Sequence, residues 1–128
     1  MGEEKLIKKR ILIVDDDARN TFALVSYLEM LEMEIYTAEN GFEALDILMQ
    51  HKEIEVILMD IMMPGMDGYE TIRRIKSDDR IAQIPVIAVT AKAMKGDREK
   101  CLEAGATEYI SKPVDLKVLI EKIEQLLS

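Results

Sequence analysis

Five short apolar runs, each followed by a segment with helical periodicity, constrain this chain more than any other feature. The runs are Ile11–Val14, Ile35–Ala38, Val56–Met59, Pro85–Val89 and Thr107–Ile110. Three of them are nearly continuous in apolar residues, as strands covered on both faces of a parallel sheet require. Between the runs the period is near 3.6. Thr21, Leu24, Val25, Leu28 and Leu31 share one helical face, and Phe42, Leu45, Leu48 and Met49 share another. Tyr69, Ile72, Arg73 and Lys76 make a more mixed face with Ile75 beside it, and Leu116, Leu119, Ile120, Ile123, Leu126 and Leu127 make the cleanest.

The punctuation agrees with this division. Asn40-Gly41, Gly65, Asp67-Gly68, Gly105 and Pro113 fall between elements, where turn and cap residues belong. Asp67 is expected to cap the third helix and Asp115 the fifth. Gly105 is placed to end the fourth in a left-handed conformation. The expectation is an α/β fold of five β–α units, a doubly wound five-stranded parallel sheet with strand order 2-1-3-4-5. A chain of 128 residues suits one domain, with no repeat, linker or low-complexity stretch. We therefore take residues 1–128 as one domain with a core over about 9–126.

Composition narrows the function classes. A hydrophobic content of 48% excludes a disordered chain. The net charge of −8 argues against a nucleic-acid partner, and the one short basic cluster, Lys8-Lys9-Arg10, reads as a solvated lead-in to the first strand. Cys101 is the single cysteine, so no intrachain disulfide forms, and it reads as a small apolar helix residue rather than a redox group. His51, the single histidine, reads as a surface residue. No apolar run approaches the ~18 residues of a membrane span, and Met1–Arg10 is charged without an apolar signal core. The expectation is a cytoplasmic protein with no membrane contact.

Charged residues cluster where the strands end. Asp15, Asp16 and Asp17 follow the first run, Asp60 the third, and Lys112, followed by Pro113, the fifth; Thr90 closes the fourth. In a 2-1-3-4-5 sheet, strands 1 and 3 are neighbours at the switch point, outside whose carboxyl ends ligands bind. Asp15, Asp16 and Asp60 would meet there. Two carboxylates about 4 Å apart repel by roughly 4 kcal/mol at an effective dielectric near 20, so the cluster calls for a cation. Oxygen donors without His or Cys favour Mg²⁺ over zinc. Lys112 supplies a point charge suited to phosphate, and Thr90 a hydroxyl. Asp60 is then the expected nucleophile, accepting a phosphoryl group as an aspartyl phosphate. Singly, each residue has an ordinary role: one of the three aspartates as the cap of helix 1, Thr90 as the cap of helix 4, Lys112 as a surface lysine. It is their convergence at four strand ends that points to a site.

These residues carry a resemblance. Val14-Asp15-Asp16-Asp17, Asp60-Ile61-Met62-Met63-Pro64-Gly65-Met66-Asp67-Gly68, Val89-Thr90-Ala91 and Lys112-Pro113 are similar to the motifs of response-regulator receiver domains, the CheY-like family, over about Lys9 to Leu126. The resemblance implies a phosphoprotein of a two-component or phosphorelay signal-transduction system. In it, Asp60 takes a phosphoryl group from a histidine of a sensor kinase or histidine phosphotransfer protein. It implies Mg²⁺ (or Mn²⁺) held by Asp15, Asp16, Asp60 and the backbone carbonyl of Met62, and a cis peptide between Lys112 and Pro113. Asp17 is left without a metal role, and Met62 and Lys92 influence the lifetime of the phosphoryl group. Thr90 and Tyr109 would form the switch, with Thr90 moving to the phosphoryl group and Tyr109, beside it on strand 5, turning inward. The output surface would be helix 4, strand 5 and helix 5, near Met94–Ala104 and Leu116–Leu127, a face that also suits a homodimer. Such a domain is a regulatory phosphoacceptor rather than an enzyme, with intrinsic self-phosphorylation and self-dephosphorylation. The stretch Thr90–Gly105 resembles receivers attached to hybrid sensor kinases.

Two other readings share the fold. A flavodoxin-like cofactor binder needs a Ser/Thr/Gly-rich phosphate loop where this chain has three aspartates. An Asp-nucleophile phosphohydrolase needs a second Asp at the position held by Met62. A nucleotide-dependent kinase is excluded more firmly, because the Gly-x-x-x-x-Gly-Lys-Ser/Thr run is missing.

Overall fold

Every expected apolar run forms a strand and every periodic segment a helix. The computed structural model describes residues 6–63, 65–91 and 96–127. In chain order the elements are β1 (Arg10–Val14), α1 (Ala18–Met30), β2 (Glu34–Ala38), α2 (Gly41–Gln50), β3 (Val56–Asp60), α3 (Gly68–Lys76), β4 (Val86–Thr90), α4 (Asp97–Ala104), β5 (Glu108–Ser111) and α5 (Leu116–Leu127). The five strands are parallel in the order β2-β1-β3-β4-β5, as expected.

Strand alternation sorts the side chains into two cores. Leu12, Val14, Ile57, Met59, Val86 and Ala88 pack beneath α2, α3 and α4. Ile11, Ile13, Val56, Leu58, Ile87 and Val89 pack beneath α1 and α5. Because the sheet is covered on both sides, its central strands have no polar face, which is why their sequences read as unbroken apolar runs.

Side chains set the helix ends. Asp17 Oδ1 accepts the Arg19 N–H at 2.9 Å and so caps α1. Asn40 caps α2 through the Glu43 N–H and Asp67 caps α3 through the Glu70 N–H. Asp115 accepts from Lys117 and Val118 at the start of α5. Gly105 ends α4 at φ +118°, a conformation that a side chain opposes. Helix α4 starts at Asp97, so Thr90 does not cap it; Thr90 is the last residue of β4.

Two expectations are corrected, and the mixed face of α3 is resolved. Phe42 is 61% exposed, and the buried stripe of α2 is Gly41, Ala44 and Leu48. At about 100° per residue, Phe42 lies on the far side of the helix from Ala44. In α3 the buried residues are Gly68, Thr71, Ile72 and Ile75, with Arg73 in solvent. Lys76 is half-buried, and its Nζ donates to the carbonyls of Ala82 (3.0 Å) and Ile84 (2.7 Å). Finally, the segment before β1 is not a purely solvated lead-in. Leu6 is fully buried in the α1/α5 core, and Lys8 N–H donates to the Glu32 carbonyl at 2.8 Å, so the core begins earlier than residue 9.

Candidate functional site

The carboxyl ends of β1, β3, β4 and β5 gather the charged residues. Asp60 is the last residue of β3 and is 2% exposed; Asp15 follows β1 at 7%. Both continue the alternation of Ile13 and Leu58, so they fall on the α1/α5 side of the sheet. Lys112 follows Ile110 by two residues and joins them from β5, with Nζ 3.2 Å from Asp60 Oδ1. Thr90 follows Val86 and Ala88 on the opposite side, facing the other core.

Asp15, Asp16 and Asp60 each offer a carboxylate oxygen, and these oxygens lie within 4.8 Å of one another. Asp16 is exposed, whereas Asp15 and Asp60 are buried. Asp15 Oδ1 accepts the Asp17 N–H at 2.8 Å. Burial raises the Asp15 carboxyl above its ordinary value against that hydrogen bond; the Asp60 charge raises it further, and the Lys112 ammonium pulls it back. Asp17 stays outside the cluster because its side chain is committed to capping α1.

The donor set fits a hard divalent cation. It is composed of oxygens, and one ammonium faces three carboxylates, leaving negative charge that Mg²⁺ would offset. Met62 extends the loop after β3, is 67% exposed, and donates its N–H to Asp60 Oδ1 at 3.2 Å. That bond orients the Asp60 carboxylate from its own loop. Thr90 Oγ1 is buried and has no hydrogen-bond partner among the described residues. A buried hydroxyl in that state costs stability, and a phosphoryl oxygen at the mouth of the site would relieve the cost.

The peptide between Lys112 and Pro113 is cis. Lys112 N–H donates to the Thr90 carbonyl at 2.6 Å, so β4 holds the residue in place beside Asp60. Tyr109 is half-buried against the α2–α4 core, but it pairs with Ala88; Ser111 pairs with Thr90. Tyr109 is therefore two residues removed from Thr90 along the ladder, on the same face. Lys92, Met94 and Pro64 lie outside the described residues. His51 is a partly exposed residue stacked on Tyr36, with Nδ1 3.3 Å from Glu53 Oε2. The Cys101 thiol is fully buried, and that burial pushes it above its ordinary value.

Two features of the site escaped the sequence. A cavity of about 460 Å³ is lined by Asp15, Asp60 and Lys112 together with Leu24 of α1 and Leu116 of α5. Its lining comes from five separate segments, so no local pattern announces it. Gly68, legible only as a turn residue, packs against the backbone of Asp60 and Ile61.

Comparison with known proteins agrees with this geometry. The family model of the response regulator receiver domain matches residues 11–124. The polar-differentiation response regulator DivK of Brucella anthropi is 41% identical over 119 residues, which is 93% of this chain and 96% of that protein. The signal receiver domain of a DNA-binding response regulator from Colwellia psychrerythraea superposes with a TM-score of 0.85 at 36% identity, over 93% of this chain and 98% of that one. A further similar structure is the Saccharomyces cerevisiae co-crystal of the histidine phosphotransfer signaling protein Ypd1 with the receiver domain of its downstream response regulator Ssk1. There the TM-score is 0.85 at 29% identity, over 94% of this chain and 90% of that one. Five parallel strands in the expected order, the carboxylate cluster at their ends and these similarities converge: the chain belongs to the response regulator receiver domain family.

Proposed function

We propose that Asp60 accepts a phosphoryl group from a phosphohistidine on a sensor histidine kinase or a histidine phosphotransfer protein. The observation that carries this reading is the meeting of Asp15, Asp16 and Asp60 within 4.8 Å, with Lys112 3.2 Å from Asp60. In the transfer, an Asp60 carboxylate oxygen forms a bond to phosphorus while the phosphorus–nitrogen bond breaks, its electron pair returning to the imidazole. When held by Asp15, Asp16, Asp60 and the Met62 carbonyl, Mg²⁺ (or Mn²⁺) supplies positive charge opposite the phosphoryl oxygens. Lys112 pairs with the Asp60 carboxylate before transfer and follows the charge onto the phosphoryl group afterwards. The unpartnered Thr90 hydroxyl donates to a phosphoryl oxygen.

The signal leaves through the neighbouring strands. Movement of Thr90 toward the site opens space on the face where Tyr109 lies two residues along the ladder, and Tyr109 turns inward. Moving such a two-state balance from 1:99 to 99:1 requires about 5.5 kcal/mol of differential interaction. A few charge-assisted hydrogen bonds to phosphoryl oxygens are of that order. The face formed by α4, β5 and α5 then meets an output partner or a second copy of the chain. The domain is regulatory, its chemistry being its own phosphorylation and dephosphorylation, and the exchange takes place in the cytoplasm, where a free thiol such as Cys101 persists.

Incubation with Mg²⁺ and acetyl phosphate, followed by intact-mass measurement, tests the reading. One added phosphoryl group is expected, lost in Asp60→Asn, and Mg²⁺ dependence is expected to disappear in Asp16→Ala. No mass increase with any phosphodonor, or an undiminished one in Asp60→Asn, sinks the assignment.

A further inference from the structure

The first residue of α3 sits where a side chain would be favourable by local rules. Gly68 does not have a left-handed backbone, and within a helix glycine costs roughly 1 kcal/mol relative to alanine. Space explains the choice. A Cβ at position 68 would lie 2.5 Å from the Asp60 carbonyl oxygen, 2.6 Å from Ile61 Cα and 2.9 Å from Ile61 Cδ1. Two of those three neighbours are backbone of the residues that bear and follow the proposed phosphoacceptor.

The contact also closes a loop. Gly68 N–H donates to the Ile61 carbonyl at 3.0 Å, joining the start of α3 to the end of β3 across residues 62–67. On the far side, Ile61 N–H donates to the Val89 carbonyl at 3.0 Å, so Ile61 is fixed to β4. Helix α3 is held down as well. Thr71, Ile72 and Ile75 are fully buried, and Thr71 Oγ1 donates to the Asp67 carbonyl at 2.8 Å. Lifting the helix off the sheet would uncover them. Any change in the spacing of β3 and α3 must therefore be felt at Met62, which directly follows the Ile61 that Gly68 contacts.

We infer that Gly68 is a positioning residue for the metal and phosphoryl site: its missing side chain seats α3 against the Asp60–Ile61 backbone and thereby fixes the Met62 carbonyl relative to the three carboxylates. The inference rests on the metal reading given under Proposed function. A methyl group at position 68 forces the two backbones apart by about half an ångström before its contacts become tolerable. Mg²⁺ demands near-ideal octahedral geometry with oxygens at about 2.0–2.1 Å, so a carbonyl ligand displaced that far is lost or distorted. Loss of supporting contacts around a metal site typically costs about 10–100-fold in affinity.

The test is Mg²⁺ titration of wild type, Gly68→Ala and Gly105→Ala, followed by calorimetry and by the backbone amide resonance of Met62, with thermal unfolding measured alongside. Gly105→Ala adds strain at φ +118° and a contact at 2.6 Å to Lys76 Cγ, a structural insult away from the carboxylates. Gly68→Ala is expected to raise the Mg²⁺ Kd at least tenfold and to shift the Met62 amide, whereas Gly105→Ala lowers Tm but leaves the Mg²⁺ Kd within twofold of wild type. A folded Gly68→Ala that binds Mg²⁺ within twofold of wild type overturns the inference, as does an equal loss of affinity in both variants. Should Gly68→Ala not fold, Thr71→Val takes its place by removing the hydroxyl bond to the Asp67 carbonyl at the start of α3, leaving only the Thr71 N–H on that carbonyl. A threefold or greater rise in Kd is then expected, and an unchanged Kd counts against the role. Failure of the wild type itself to bind Mg²⁺ removes the metal reading, and this inference with it; that outcome is distinct from a difference between variants.

Discussion

Replacing Asp15 by asparagine should make the metal-free protein more stable and the Mg²⁺-loaded protein less so. Asp15 is 7% exposed, and its carboxylate oxygen lies within 4.8 Å of those of Asp16 and Asp60. At an effective dielectric near 20, two like charges at that separation repel by at least about 3 kcal/mol. Asparagine removes the repulsion and the cost of burying the charge, yet its side-chain oxygen still accepts the Asp17 N–H. Against the gain stand a weaker, uncharged hydrogen bond, roughly 1 kcal/mol, and the lost attraction of Lys112. We expect a net stabilisation of about 1–2 kcal/mol without metal, or about 4–8 °C in Tm for a domain of this size. Mg²⁺ at a hundredfold excess over its Kd stabilises the wild type by about 2.7 kcal/mol, and Asp15→Asn should forfeit most of that. The order of stability therefore reverses between chelator and Mg²⁺. The pH dependence has a definite sign. The native Asp15 carboxyl is raised above the ordinary 3.8, so its favourable contribution is present below 3.8 and lost as pH rises through the native value. The advantage of Asp15→Asn should accordingly vanish in acid, grow as pH rises and level off once pH exceeds the native value. Urea unfolding with chelator and with Mg²⁺, at several pH values, measures all of this. A metal-free Asp15→Asn less stable than wild type at pH 7 refutes the reasoning.

Leu6→Ala should cost about 2–4 kcal/mol in the same urea assay, as for other large-to-small changes in a core, because Leu6 is fully buried between the sheet and the α1/α5 layer; a change under 0.5 kcal/mol would mean that the segment before β1 is not part of the fold. Asp78 is held down to about 2 by the Arg80 guanidinium and backbone N–H. Its stabilising contribution is present above the ordinary 3.8 and lost as pH falls toward 2, so Arg80→Ala should be less stable than wild type at neutral pH, and its stability should fall less steeply between pH 4 and 2, by about the share of one carboxyl. Identical slopes would show that the pair is solvent-screened to insignificance.

The site was more legible in the sequence than the cores that support it. Asp15, Asp16, Asp60, Thr90 and Lys112 stand immediately beside apolar runs, and a parallel sheet brings all strand ends of one direction to one edge, so their gathering at that edge follows from strand order, with Thr90 alone on the opposite face. Caps were legible for the same local reason: Asp67 and Asp115 bond to N–H groups two or three residues away. Phe42 is exposed although it belongs to the apolar pattern, because helical periodicity gives the existence of an apolar stripe more reliably than its rotation. The stripe that faces the sheet, Gly41, Ala44 and Leu48, is chosen by close packing on α3, where a Cβ at Gly41 would collide with Thr71 Oγ1. The burial of Leu6 depends on β1, α1 and α5 closing around it, and the two-residue offset of Tyr109 from Thr90 depends on a register set by partner strands. The same division holds for the chain as a whole. Its sequence by itself determined five β–α units, their order in the sheet and the gathering of charged residues at the strand ends, since these follow from periodicity, from the winding of such units and from the expense of placing charge beside a core. Only the tertiary structure decided which helix faces turn inward, which hydroxyl is left without a partner, and how closely α3 approaches Asp60, since these distances arise from contacts between residues far apart in the chain.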